Sequence, residues 1–89
     1  MAVSHIKPRS KPYGNKNICG ANIERLRMEK GIKQHELVSR MQTMGVDINP
    51  SSLSKLEGQH RVASDIELWA IARIFGVNIE ELITFEEIK

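Results

Sequence analysis

The sequence predicts an all-α fold, a single small domain of five short helices. Apolar residues recur at three- and four-residue spacings in five separate segments, which is the period of a helix with one buried face. Ser64 and Asn78, which favour helix starts, precede two of these segments, and Gly31, Gly45 and Gly76 follow three of them. No segment shows the alternation typical of a strand, and no internal repeat is present. The 89 residues allow one modest core.

The first two helices are predicted over residues 18–30 and 33–44. Asn17 is the predicted N-cap of the first helix, whose buried side should hold Ile18, Cys19, Ile23 and Leu26. The core face of the second helix should hold Leu37, Val38, Met41 and Met44.

The third helix is predicted over residues 50–57. Asn49 can cap it, because its side-chain oxygen can accept a backbone N–H of the first turn. Pro50 suits the first helical position, where no N–H is needed. Leu53 and Leu56 are three residues apart, so they share one side and bury it.

The opposite face of this helix carries Ser51, Ser52 and Lys55, with no carboxylate until Glu57. Such a face can approach a polyanion closely, and our leading hypothesis is that it enters the DNA major groove. The alternative is an ordinary amphipathic helix with a solvated serine face.

The last two helices have capping boxes at their starts. Ser64 and Glu67 form one box, and that helix should run to Phe75 with Leu68, Ile71 and Ala72 on its inner face. Asn78 and Glu81 repeat the pattern before a short helix around Ile79, Leu82 and Ile83.

Residues 1–17 are interpreted as a flexible basic N-terminal arm. They contain Lys7, Arg9, Lys11 and Lys16, no acidic residue and no hydrophobic period. The arm is either a passive tail or a segment that follows DNA phosphates or enters the minor groove. The expected organisation is therefore this arm, a domain over residues 18–85, and a short tail over residues 86–89.

Charge is unevenly distributed along the chain. Residues 1–61 hold eleven Lys and Arg against five Asp and Glu, a net +6, whereas residues 62–89 hold two against six, a net −4. The sum is the net charge of +2. A basic front and an acidic back are typical of a module with one nucleic-acid-binding face.

Other classes of protein find little support. Cys19 is the only cysteine, and His5, His35 and His60 are scattered, so we expect no metal site, no cofactor and no enzyme. No apolar run is long enough to span a membrane, and no signal peptide is evident, so a cytoplasmic location is expected.

In order, the segments resemble the phage Cro/repressor-type helix-turn-helix family, also called XRE-like regulators. The resemblance covers roughly residues 18–84 and rests on these motifs: Asn22-Ile23, Leu26-Arg27, Lys30-Gly31, Gln34, Glu36-Leu37, Leu53-Ser54-Lys55-Leu56-Glu57, Arg61, Asp65, Glu67-Leu68, Ile71-Ala72, Phe75-Gly76-Val77 and Leu82. The resemblance implies that the second helix lies across the DNA backbone and that the third is the recognition helix.

The resemblance also implies roles for individual residues. DNA contacts are expected from residues at the start of helix two, on the face of helix three and in the loop after it: Lys33, Gln34, Ser51, Ser52, Lys55, Gln59, His60 and Arg61. Lys33 is included for its charge, because lysine and arginine release counterions at phosphates. Arg27 and Glu57 are expected to form a structural salt bridge between helices one and three.

Two features depart from the family pattern. Pro50 stands where a base-reading polar residue is common, and proline has no side-chain donor. Gln34 and Glu57 are 23 positions apart, about five more than in the commonest form of the family, so the turn between helices two and three is extended. Val46 and Ile48 should anchor this turn to the core.

We therefore expect a sequence-specific, DNA-binding transcriptional regulator, a repressor, that acts as a homodimer on double-stranded DNA without a small-molecule ligand. The candidate dimer patch is Trp69, Ile83, Phe85 and Ile88, although these side chains could instead cover the core of the monomer. The rival function is a protein-interaction or antitoxin-like module on the same fold.

Overall fold

A computed structural model of the protein describes residues 13–84. Five helices, and no strand among the described residues, make up the fold: α1 (Gly20–Glu29), α2 (Gln34–Thr43), α3 (Pro50–Glu57), α4 (Asp65–Phe75) and α5 (Ile79–Ile83). The predicted all-α class and its five helices are confirmed. None of the described helices is long and apolar enough to cross a membrane.

The core lies between all five helices. α3 packs on α1 and α2, and α4 packs on α2 and α5 on the other side of the domain. The buried apolar residues are Cys19, Ile23, Ile32, Leu37, Val38, Met41, Val46, Ile48, Leu53, Leu56, Ala70, Ile71, Ala72, Phe75 and Leu82. Leu26, Met44 and Leu68 pack against this core but are only partly buried.

The capping residues act as the sequence predicts at α3 and α4. The Asn49 side-chain oxygen accepts from the Ser52 backbone N–H at 2.8 Å. Ser64 and Glu67 satisfy each other's backbone N–H groups at 3.2 and 3.0 Å, which completes the capping box. Each cap of this kind stabilises a helix by roughly 1 kcal/mol.

The start of α1 differs from the prediction. The helix begins at Gly20 rather than at residue 18, and Ile18 is 50% exposed instead of buried. Ile18 precedes the helix, so the helical period does not turn it toward the core. The Asn17 side-chain oxygen still accepts the Gly20 backbone N–H, at 2.8 Å.

The long connection between α2 and α3 is fastened at both ends. The backbone N–H groups of Gly45 and Val46 donate to the carbonyl oxygens of Gln42 and Met41, a Schellman-type ending. The Gln42 amide then donates to the Ile48 carbonyl at 2.8 Å. Val46 and Ile48 are buried, as predicted, so the extra residues form a fixed corner rather than a loose loop.

The end of the predicted arm is bound to the domain. The Gly14 backbone N–H donates to the Gly58 carbonyl at 2.8 Å, and the Lys16 N–H donates to the Gln59 carbonyl at 2.9 Å. The predicted flexible arm over residues 1–17 is therefore held at its end, because the backbone of Gly14 and Lys16 is bonded to the loop after α3. Residues 1–12 of the predicted arm lie outside the described residues, as do Phe85, Ile88 and the predicted tail.

Candidate nucleic-acid interface

One face of α3 is exposed and lacks acidic groups. Leu53, Leu56 and Glu57 turn inward and are buried, which leaves Ser51 and Lys55 exposed on the outer side. Ser52, also predicted to face outward, is only half-exposed. Asn49, Pro50 and Ser54 are exposed too. Sequence reasoning missed Ser54, although it follows Ser51 by three positions and therefore shares that side of the helix.

The inner end of α3 is held by a buried ion pair. Arg27 of α1 donates to both carboxylate oxygens of Glu57, at 2.7 and 3.1 Å, in a bidentate arrangement. The Gln34 amide adds a third bond to Glu57 at 2.9 Å, and Arg27 also donates to the Ile32 carbonyl at 2.8 Å. The Glu57 side chain is 1% exposed, so these bonds fix α3 against α1 and α2 together.

The structure thus contains the Arg27–Glu57 pair that the sequence predicts, and gives Gln34 a definite partner. Because the Gln34 amide is bound to Glu57, it braces α3 from the first turn of α2. Lys33, at the N-cap of α2, is exposed.

Close backbone contact holds the C-terminal end of α3 against α1. A β-carbon at Gly20 would collide with the Leu56 carbonyl oxygen and would lie 2.7 Å from that of Glu57. A glycine at this position therefore allows α1 to touch the last carbonyl groups of α3 directly.

Asn17 holds the same region together with hydrogen bonds from both its backbone and its side chain. Its amide nitrogen donates to the carbonyl oxygens of Leu56 and Arg61, at 3.1 and 2.8 Å. Its carbonyl oxygen accepts the Gln59 side-chain amide at 2.6 Å, and its side-chain oxygen accepts Gly20 N–H. Sequence reasoning identified Asn17 only as a helix cap, because its other partners lie about 40 residues away and leave no local pattern.

The loop after α3 carries three of the predicted contact residues. Gln59 has a φ of 62°, in the left-handed region, and its amide is engaged by Asn17. The His60 side chain is exposed. The Arg61 guanidinium is hydrogen-bonded within the domain. Its Nε donates to the Ser52 carbonyl at 2.9 Å, and its two terminal nitrogens donate to the Glu67 carboxylate at 3.0 and 2.8 Å.

The Arg61–Glu67 pair also changes the acidity of the glutamate. Burial alone would raise the pKa of Glu67, but hydrogen bonds from the Arg61 guanidinium and the Ser64 backbone outweigh it, so the pKa is lowered. The carboxylate is therefore charged at neutral pH and anchors the loop to the first turn of α4.

The surface formed by α3 and its following loop is positive. Lys16, Lys33 and Lys55 are exposed. Between Ile48 and Ser64 the only carboxylate is that of Glu57, which is buried and neutralised by Arg27. The outer face of α3 itself therefore carries no negative charge, although the exposed Asp47 lies in the connection just before the helix.

Two residues of the predicted dimer patch, Trp69 and Ile83, lie on α4 and α5, and the other two lie outside residues 13–84. Trp69 and Ile83 are each 40% exposed, and the Arg73 guanidinium lies 5.7 Å from the centre of the Trp69 ring. Within residues 13–84, no three His, Cys, Asp or Glu side chains are grouped so that they could hold a metal ion. Burial raises the pKa of the Cys19 thiol, as expected for a core residue.

The chain is similar to known proteins over most of its length. Residues 23–82 match the family described as helix-turn-helix. A relative from Sinorhizobium fredii, an uncharacterised HTH-type transcriptional regulator called y4dJ, is 35% identical over 69 residues, which span 78% of this chain and 83% of the relative. No solved structure gives a significant match.

Proposed function

The chain belongs to the XRE-like helix-turn-helix family and is a DNA-binding transcriptional regulator, and we propose that it places α3 in the major groove and represses transcription. One observation carries the groove proposal. The outer face of α3 is small, basic and free of carboxylates, while its inner side is fixed by the buried Arg27–Glu57–Gln34 network. The major groove is wide enough to admit such a helix.

Base contacts fall to the exposed residues of α3. The Lys55 ammonium can donate to guanine O6 or N7, and the Ser51 and Ser52 hydroxyls can bond either base edges or phosphates. Ser51 is the more accessible of the two serines, and Ser54 joins them. Pro50 offers no donor, so the start of the helix contributes shape rather than a hydrogen bond.

Phosphate contacts fall to residues beside the helix. Lys33 and His60 are exposed and free to meet the backbone. Gln34, Gln59 and Arg61 are bound within the protein, so their role in this proposal is to position α3 and its loop. Arg61 has one guanidinium N–H left for a phosphate, since the other four donate to Ser52, Val62 and Glu67.

We also propose a homodimer, repression by occlusion of a promoter, and a cytoplasmic location. The reading face is short, and two copies on paired half-sites about one helical turn apart would increase selectivity. Trp69 and Ile83 are the described members of the candidate dimer patch, and their exposure supports it. No catalysis, cofactor or small-molecule ligand enters the proposal.

Selection of bound fragments from randomised duplex DNA tests the proposal. Wild type, Lys55→Ala and Arg25→Ala would be compared at two salt concentrations. Arg25 is a matched control because it is also a cation, and it pairs with Glu29 of its own helix at 3.3 Å. A palindromic motif found by wild type and Arg25→Ala but lost in Lys55→Ala is the expected result. Motif-free binding that disappears at moderate salt would contradict it and favour the protein-interaction module.

A further inference from the structure

Burial alternates residue by residue in the connection just before α3. Val46 and Ile48 are buried, whereas Asp47 and Asn49 are exposed. Side chains of an extended chain alternate between its two sides, so Asp47 and Asn49 lie on the same, outer side. The backbone of Asn49, with a φ of -134° and a ψ of 169°, is extended and leads directly into Pro50, the first residue of α3.

Contacts with α2 hold this stretch in place. The Val46 backbone N–H donates to the Met41 carbonyl at 3.0 Å, and the Gln42 amide donates to the Ile48 carbonyl at 2.8 Å. The residues on both sides of Asp47 are therefore fixed by burial and by hydrogen bonds. A side chain on a backbone that is already ordered loses less conformational entropy when it binds a ligand.

The outward-facing polar groups of this stretch have no partner within the described part of the domain. Among residues 13–84, no hydrogen bond or ion pair engages the Asp47 carboxylate or the side-chain nitrogen of Asn49. The Asn49 side-chain oxygen is occupied, because it accepts the Ser52 backbone N–H at 2.8 Å. The Asn49 amide thus presents two N–H donors, and the Asp47 carboxylate presents acceptors.

Base edges in the major groove match these two groups. Cytosine N4 is a donor to which an aspartate is a suitable acceptor, and guanine O6 and N7 are acceptors for amide N–H groups. The α-carbons of residues two apart in an extended chain are separated by roughly 6.6 Å. This distance is close to two base-pair steps of about 3.4 Å each.

We propose that Asp47 and Asn49 are specificity-determining residues: in the major groove beside the start of α3, Asp47 accepts from a cytosine N4 and Asn49 donates to a guanine about two base pairs away. They supply the base contacts for which Pro50 has no side-chain donor. The proposal rests on the proposed function, since it takes α3 to be the helix in the groove. Phosphates repel a carboxylate, so Asp47 adds discrimination among sequences and not overall affinity.

Selection of bound fragments from randomised duplex DNA tests both residues. Asp47→Ala removes the acceptor, and Asn49→Ser removes the amide but keeps a good helix cap. Asp47→Ala should lose a cytosine preference in each half-site, Asn49→Ser should lose a guanine preference, and both should keep the position that depends on Lys55. Glu80→Ala is the control, because it removes an exposed negative charge from α5, which packs on α1 and α4, and it should select the wild-type motif.

Affinities for two defined duplexes make the test of Asp47 quantitative. One duplex carries the selected cytosine, and the other carries thymine there, which replaces the N4 donor by the O4 acceptor. Wild type and Glu80→Ala should bind the thymine duplex about tenfold more weakly, whereas Asp47→Ala should bind the two duplexes equally. The same discrimination by wild type and Asp47→Ala would overturn the role of Asp47, and an unchanged guanine preference in Asn49→Ser would overturn that of Asn49.

Unfolding in urea separates base recognition from folding. Because the Asp47 side chain is exposed, Asp47→Ala should unfold at the same urea concentration as wild type. Lower stability together with weaker binding to every sequence would show that Asp47 supports the connection, and would overturn the proposal. A wild-type motif that depends on Lys55 but not on Asp47 or Asn49 would overturn this inference alone, whereas a wild-type protein that selects no motif would overturn the proposed function as well.

Discussion

Removing one partner of the Arg27–Glu57 pair should strongly destabilise the domain, because the glutamate is buried and depends on the arginine. In Arg27→Met, the Glu57 carboxylate keeps only the Gln34 amide, and the Ile32 carbonyl loses its arginine donor. The two side chains are 11% and 1% exposed, so solvent cannot replace the lost bonds without opening the core. Breaking one side of such a pair typically costs about 3–5 kcal/mol.

Urea unfolding followed by helical circular dichroism measures this loss. Domains of this size are stable by roughly 5–15 kcal/mol, so Arg27→Met should lose a large part of the total. The double variant Arg27→Met, Glu57→Leu removes both charges, leaves no buried ion unpaired, and should be more stable than the single variant. A single variant within about 1 kcal/mol of wild type, or a double variant no more stable than the single variant, would contradict this role of the buried pair.

Two further predictions concern the contacts around α3 and α4. Gly20→Ala should destabilise the domain by about 1–3 kcal/mol in the same urea assay, because the new β-carbon would collide with the Leu56 carbonyl oxygen. Alanine favours helices more than glycine does, so a gain in stability would show that this close contact does not exist. The Glu67 pKa is lower in the folded protein than its ordinary value, so the carboxylate contributes stability that is present above roughly pH 4.3 and is lost as the pH falls through the folded pKa. Glu67→Gln should flatten this acid-side loss relative to wild type and to Glu80→Gln, and an unchanged pH profile would count against it.

The local features of the fold could be predicted from the sequence because local chemistry determines them. Asn49, Pro50, Ser64 and Glu67 act through neighbours within three residues, and each does so in the structure. The buried anchors of the extended turn follow from apolar residues in a short polar connection. Ile18 was assigned wrongly because a helical period gives no exact first residue, and α1 starts two positions later.

The contacts that position the candidate interface were harder to predict. Arg61 was expected at phosphates from its charge and place in the loop, whereas the structure gives it Glu67 and Ser52 as partners. The C-terminal end of α3 is also contacted by residues from the N-terminal part of the chain, Gly14, Asn17 and Gly20. Such pairings depend on how the helices pack, and packing over 40 residues of separation leaves no periodic signal.

Methylation interference on the selected DNA site tests directly whether α3 lies in the major groove. Methylation at guanine N7 blocks the major groove, whereas methylation at adenine N3 blocks the minor groove. If α3 lies in the major groove and Lys55 contacts guanine, N7 methylation of a guanine in each half-site should abolish wild-type binding. Lys55→Ala, assayed at low salt and at a protein concentration that restores binding to the site, should be insensitive at that same guanine. Interference confined to adenine N3, or an identical pattern for both proteins, would contradict the placement of α3.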